Sequence, residues 1–109
     1  MRMWMVDPRG MCRQHLLGEH VETHMFVGAI LKGTGMHGYV ANNLLESKSL
    51  EQRHAALVRE MVRRGMTHKS PLKAFKLAPV GKVDRQSAQT ELLRRCKECR
   101  KLHRELDLI

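Results

Sequence analysis

Three polar side chains share one side of a helical stretch near the start of the chain. His15, Glu19 and Glu22, in QHLLGEHVETH, are spaced i, i+4 and i+7, so a helix there projects all three from one face. Carboxylates beside an imidazole can move protons and stabilise a developing positive charge. The plainer reading of such a face is a solvated surface, salt-bridged to nearby arginines. On spacing alone both readings stand.

Two other sets of residues have metal-ligand character. His20 and His24 are an i, i+4 pair, but the acidic residue between them is Glu22, two places after the first histidine, whereas the zinc-protease helix HExxH needs it directly after. Two partly exposed helix histidines are therefore expected. Cys96-x2-Cys99-x3-His103 is a better set, since zinc accepts thiolates and imidazole and these spacings share one side of a helix. A closed site needs a fourth ligand, which only Cys12 or a distant histidine could supply. The competing reading is that the cysteines behave as small apolar residues in a helix–helix seam, and no metal is expected.

The elements that must carry these residues follow from local signals. Asp7-Pro8 suits a helix start, a capping acceptor followed by proline at the first helical position, but Gly10 delays regular helix to about Cys12. From there to about Leu31 the apolar Leu16, Leu17, Val21, Val27 and Leu31 lie on one broad side, and His15, Glu19, Glu22 and Phe26 on another. Gly33, Gly35 and Gly38 make Lys32–Lys48 irregular, with a short helical turn around Tyr39 to Leu45.

Ser49 to Arg64 is the clearest helix. Ser49 and Gln52 form a capping box, Leu50, His54, Leu57, Val58 and Met61 form the apolar stripe, and Gly65 is the stop. Arg53, Arg59, Arg63 and Arg64 fall off the stripe. Met66–Val83, with Pro71, Pro79 and Gly81 among lysines, reads as a partly extended surface loop. Asp84 or Ser87 then caps a third helix to about Leu106, with Ala88, Leu92, Cys96, Cys99, His103 and Leu106 along one side. The predicted fold class is all-α, a compact single domain over residues 1–109, of three main helices with irregular basic loops.

Twenty Lys and Arg against eleven Asp and Glu give a formal charge of +9, which favours a polyanionic partner, nucleic acid ahead of an anionic membrane surface. No apolar run approaches the roughly 20 residues that span a bilayer, and the N-terminus lacks a signal-peptide apolar core, so no membrane association and a cytoplasmic location are expected. Three cysteines, an odd number, argue for reduced thiols.

Two collinear blocks resemble a known family. Gln14-His15-Leu16-Leu17-Gly18-Glu19, then Glu22 and Phe26-Val27-Gly28-Ala29, is similar to the first helix of the phage and viral pyrimidine-dimer DNA glycosylases that also cleave abasic sites. Ser49-Leu50-Glu51-x-Arg53, Leu57, Glu60 and Arg64-Gly65 resemble that family's second helix, and together the blocks cover about half the chain. The resemblance implies an all-α enzyme that works without metal or organic cofactor in a bacterial or virus-infected cell. Its substrate would be damaged double-stranded DNA.

The same resemblance implies catalysis by Met1, Glu22 and His15: the Met1 α-amine as nucleophile, kept because a following Arg2 is too bulky for methionine removal, Glu22 beside it, and His15 positioning substrate. Where the family carries arginines on this helix the chain has Val21 and Met25, and its last residues, KLHRELDLI, are not the aromatic-rich tail that the family uses near the damaged site. Arg2, Arg9, Arg13, Lys32, Lys69 and Lys73 are the expected phosphate contacts. The alternative is a non-catalytic, basic, helical nucleic-acid-binding protein with zinc at Cys96, Cys99 and His103.

Overall fold

The computed structural model describes residues 1–109 and contains helices but no strands. The first helix, α1 (Arg13–Leu31), begins after a 3-10 turn at Pro8–Gly10, where the Asp7 side chain accepts the Arg9 N–H. It ends at Gly33 (φ +74°), with Gly33 N–H donating to Ile30 and Thr34 N–H to Ala29, the paired closure that a left-handed glycine permits. A short α2 (His37–Ala41) and a 3-10 turn (Ser47–Ser49) lead into α3 (Leu50–Arg63). Gly65 (φ +85°) closes α3 in the same way: Gly65 N–H reaches Val62 and Met66 N–H reaches Met61.

Residues 66–84 form no regular element, as expected of their prolines and lysines. The predicted third helix is two: α4 (Arg85–Arg95), capped by Asp84 accepting from Ser87 N–H, and α5 (Lys97–Glu105). Cys96 between them is extended (φ −121°, ψ 109°), and its sulfur accepts the Cys99 N–H. The three main helices expected are therefore four, and the short α2, near the turn expected around Tyr39 to Leu45, makes five. Neither glycine nor proline marks the break at Cys96.

Packing centres on α1 against α3, with α5 and the Pro8–Gly10 turn alongside. The N-terminal segment runs through the middle. Met3, Trp4, Val6 and Met11 are buried, and Met3 N–H donates to the Leu44 carbonyl at 2.8 Å. The later loop is tied in by Ser47 N–H to Val80 O, Val80 N–H to Ser47 Oγ and Val83 N–H to Glu46 Oε1. Glu46 is itself buried; burial opposes its charge, but hydrogen bonds from Arg85, Ser49 and the Val83 N–H outweigh it and hold its pKa down at about 2.

The faces of α1 differ from the sequence expectation. Val21 and Leu31 are 54% and 52% exposed, whereas Leu16, Glu19, His20, Thr23, Phe26 and Val27 turn inward. Glu19 is 1% exposed because Arg53, expected off the apolar stripe of α3, is buried with it: Nε and Nη2 donate to the two carboxylate oxygens at 2.6 and 2.8 Å. A bidentate, charge-assisted pair is the one way such groups tolerate the interior. The Ser49–Gln52 capping box does not form, since the Ser49 hydroxyl donates to Glu46 instead.

Candidate active site

The buried Met3 and Trp4 fix the path of the residues before them. They deliver the Met1 nitrogen to 3.7 Å from Glu22 Oε1, on the outward side of α1. Both side chains are partly open to solvent, 16% for Met1 and 27% for Glu22. At that separation the amine and carboxylate interact electrostatically, and a small movement gives a direct proton contact. Neither residue lines the wide groove of Ser47, Lys48, Leu72 and Phe75 or the hollow beside Ile30 and Met36. An open site suits a substrate that brings its own walls, such as a duplex.

Neither His15 nor Glu19, expected to share this face, is hydrogen-bonded to Met1 or Glu22. Glu19 is committed to Arg53 in the core. His15 turns its Nδ1 toward Cys12 Sγ (3.3 Å) and Cys99 Sγ (3.7 Å), with its ring edge-on to Trp4. Its Nε2 makes no hydrogen bond within the protein and is not sealed from solvent.

The expected phosphate contacts divide into two groups. Arg13, Lys32, Lys69 and Lys73 are exposed and form no ion pair. Arg9 is paired with Asp7 through Nε and Nη2, the latter at 2.7 Å. Arg2 is partly withdrawn: its guanidinium lies 3.7 Å from the Trp4 ring centroid, and its pKa is lowered by burial and then by Arg95. Lys48, Lys73 and Lys76 line one wide groove with Leu72 and Phe75, so two of its three lysines, Lys48 and Lys76, were not singled out by the sequence.

Both metal-like sets are rearranged. His103 does not join Cys96 and Cys99. It is fully buried, its Nδ1 bonded to the Cys99 carbonyl at 2.9 Å and its ring beneath Gly10. Cys12 and His15 meet the two cysteines in its place. His20 and His24, expected as an ordinary pair, are joined by His54 of α3 and His68 of the loop. Burial first, then the neighbouring imidazoles, pushes the pKa of His20 down to about 4.

An amine facing a carboxylate is a pair that can exchange a proton, and the scaffold around it is basic and all-helical. Comparison with known families supplies the class. The pyrimidine dimer DNA glycosylase family matches residues 1–74, and the chain belongs to it. The match spans α1 to α3 and the start of the following loop, and stops short of α4 and α5. No curated protein and no solved structure matches. Membership makes this a DNA repair glycosylase at the level of the family, with DNA as its substrate.

Proposed function

We propose that the protein is a DNA N-glycosylase with abasic-site β-lyase activity, acting on pyrimidine dimers or another damaged base in duplex DNA, with the Met1 amine as nucleophile. The observation that carries this reading is the 3.7 Å approach of the Met1 nitrogen to Glu22. An α-amine is a less basic nucleophile than a lysine side chain, which suits it to imine chemistry.

In the proposed reaction the amine lone pair attacks the sugar C1′, and the bond to the base breaks with its electron pair passing to the base, which takes up a proton. Glu22 faces the positive charge that builds on the sugar. Ring opening, with a proton delivered to the ring oxygen, leaves a protonated imine. The Glu22 carboxylate then removes a C2′ proton, those electrons form the new C–C double bond, and the 3′ phosphate departs. Water releases the amine by hydrolysing the imine.

Exposed Arg13, Lys32, Lys69 and Lys73 supply phosphate contacts that carry affinity without sequence information, and Arg2 and Arg9 are second to them because each already has a protein partner. His15 contributes through its solvent-open Nε2, which can donate to a phosphate or sugar oxygen. A damaged base is cheaper to extrude from the stack than a paired one, which suits a site that lies open on the surface.

Borohydride reduction on abasic-site duplex DNA tests the nucleophile. The expected result is a covalent adduct mapping to the N-terminal peptide and abolished by selective acylation of the α-amine. An adduct that survives acylation sinks the assignment of Met1. Glu22→Gln should keep its fold and salt-sensitive DNA binding while base excision falls by about 10²–10⁴-fold, the usual range for a general acid–base group.

A further inference from the structure

We propose that Cys12, His15, Cys96 and Cys99 form a structural zinc site joining the start of α1 to the α4–α5 junction. The four donor atoms lie within 4.8 Å of one another, though Cys12 and Cys96 are 84 residues apart. Cys12 Sγ to Cys96 Sγ is 3.8 Å, Cys12 Sγ to His15 Nδ1 is 3.3 Å, and Cys99 Sγ to His15 Nδ1 is 3.7 Å. A tetrahedral ion with Zn–S of about 2.3 Å and Zn–N of about 2.0–2.1 Å has S···S edges of about 3.8 Å and S···N edges of about 3.5 Å. The Cys12–Cys96 separation matches the first value, and the two sulfur–nitrogen separations bracket the second.

Two of the three sulfurs lie where a thiolate is favoured, whereas burial pushes the Cys99 thiol's pKa up. Cys12 is the N-cap of the nineteen-residue α1 and Cys96 that of the nine-residue α5, so two sulfurs sit at the positive ends of helix dipoles. The Cys12 N–H donates to Cys99 Sγ at 3.2 Å, and the Cys99 N–H to Cys96 Sγ at 3.4 Å. The break at Cys96 also gains a cause. A continuous helix would follow the sequence, whereas the extended Cys96 turns its sulfur to meet Cys12. Cysteines filling a seam as small apolar groups require neither the break nor four converging donors. Binding releases the thiol protons to solvent and leaves three thiolates and a neutral imidazole on the ion. With Nδ1 on zinc, the His15 proton is confined to Nε2, the nitrogen open to solvent.

A second set of observations carries a second site, independent of the first: His20 and His24 of α1, His54 of α3 and His68 form a four-imidazole site for a divalent transition metal. Their ligand nitrogens also lie within 4.8 Å of one another, with His24 Nε2 to His54 Nε2 at 3.1 Å. The Nε2 atoms of His20 and His68 are buried with no hydrogen-bond partner. Buried polar nitrogens are rarely left so, and one ion between the rings satisfies all four. Nitrogen-only ligation suits zinc, nickel, cobalt or copper. All four histidines lie within the family-matched residues 1–74, whereas Cys96 and Cys99 do not.

The test uses full-length protein without a histidine tag, expressed with added zinc and desalted before elemental analysis. Two metal ions per chain are expected. Cys96→Ser with Cys99→Ser should lower this by one, and His54→Ala with His68→Ala by one independently. Wild-type protein loaded with cobalt should show the thiolate-to-cobalt charge-transfer band, which the four-histidine site lacks. That spectrum decides the first site even where the cysteine variants fail to fold. For the second site, the cobalt-loaded cysteine double variant, or wild type with its first site held by zinc, should show only nitrogen-ligand spectra. Metal-free protein, or three thiols that react at once with a disulfide reagent before any chelator is added, overturns the zinc site. One ion per chain, lost with the cysteines alone, overturns the histidine site.

Discussion

Arg53→Met should be among the most damaging single substitutions, and its effect should reach the N-terminus. The side chain is 6% exposed and its guanidinium serves three segments: both Glu19 oxygens (2.6 and 2.8 Å), the Val6 carbonyl (2.7 Å) and the Met11 sulfur (3.4 Å). Methionine fills similar space but leaves the Glu19 carboxylate, 1% exposed, without a counter-charge. Removing one partner of a buried pair costs about 3–5 kcal/mol. A domain of this size has only about 5–15 kcal/mol in total. With a urea m-value of about 1–3 kcal/mol/M, the unfolding midpoint should fall by at least about 1 M.

Glu19→Leu with Arg53→Met removes both charges and should recover most of that loss, leaving about 1 kcal/mol for the unpaired Val6 carbonyl. Urea unfolding by circular dichroism, with the m-value checked for constancy, measures all three proteins. A loss below about 1 kcal/mol in the single variant, or a double variant no more stable than the single, refutes the reasoning. Because Val6 lies on the segment that carries Met1, the adduct yield on abasic DNA should fall in both variants even where folding is recovered.

Further outcomes follow from local geometry. Gly28→Ala, in α1 with open space where a Cβ would stand, should stabilise by about 0.5–1 kcal/mol, whereas Gly81→Ala should destabilise by more than about 2 kcal/mol, as its φ is +79° and the new Cβ would meet the Leu45 carbonyl oxygen at 2.1 Å. Thermal melts of the two should shift in opposite directions. Gly10→Ala should also lower the melting temperature, since its Cβ would fall 2.5 Å from the buried His103 ring. Glu46, held at about 2, lies below its unfolded value of about 4.3, so its contribution is complete above that unfolded value and is lost as pH falls toward 2. Urea midpoints between pH 5 and 2.5 should show a fall that Glu46→Gln flattens.

The sequence was most legible where structure is decided locally. Gly33 and Gly65 stop their helices, Asp84 caps α4, and the proline- and lysine-rich stretch stays irregular, because each depends on a few neighbouring residues. It was least legible where a partner distant in the chain decides. A period-3.6 pattern places Glu19 outside and Val21 inside; Arg53, 34 residues on, reverses the first. The helix through Cys96 looks continuous until Cys12 is beside it. His68 has no spacing relation to His20, and only the packing of the loop on α1 and α3 brings them together.

The proposed use of the Met1 amine as nucleophile poses a mechanical problem, because chain ends are ordinarily the least ordered part of a domain. Proximity is effective only if the reacting groups are held near the reactive geometry. Here the third and fourth residues are buried, Met3 bonds to Leu44, Val6 is held by Arg53, and Met1 itself packs partly against the core. Arg2 in turn lies over Trp4. The anchoring therefore begins two residues from the amine, and the partner carboxylate stands on the helix packed against that anchor. The same residues serve core and candidate site, so a core change at Met3 or Trp4 acts on the position of the Met1 nitrogen directly, whereas under the proposed function a change in the exposed Lys69–Lys73 stretch acts on DNA affinity.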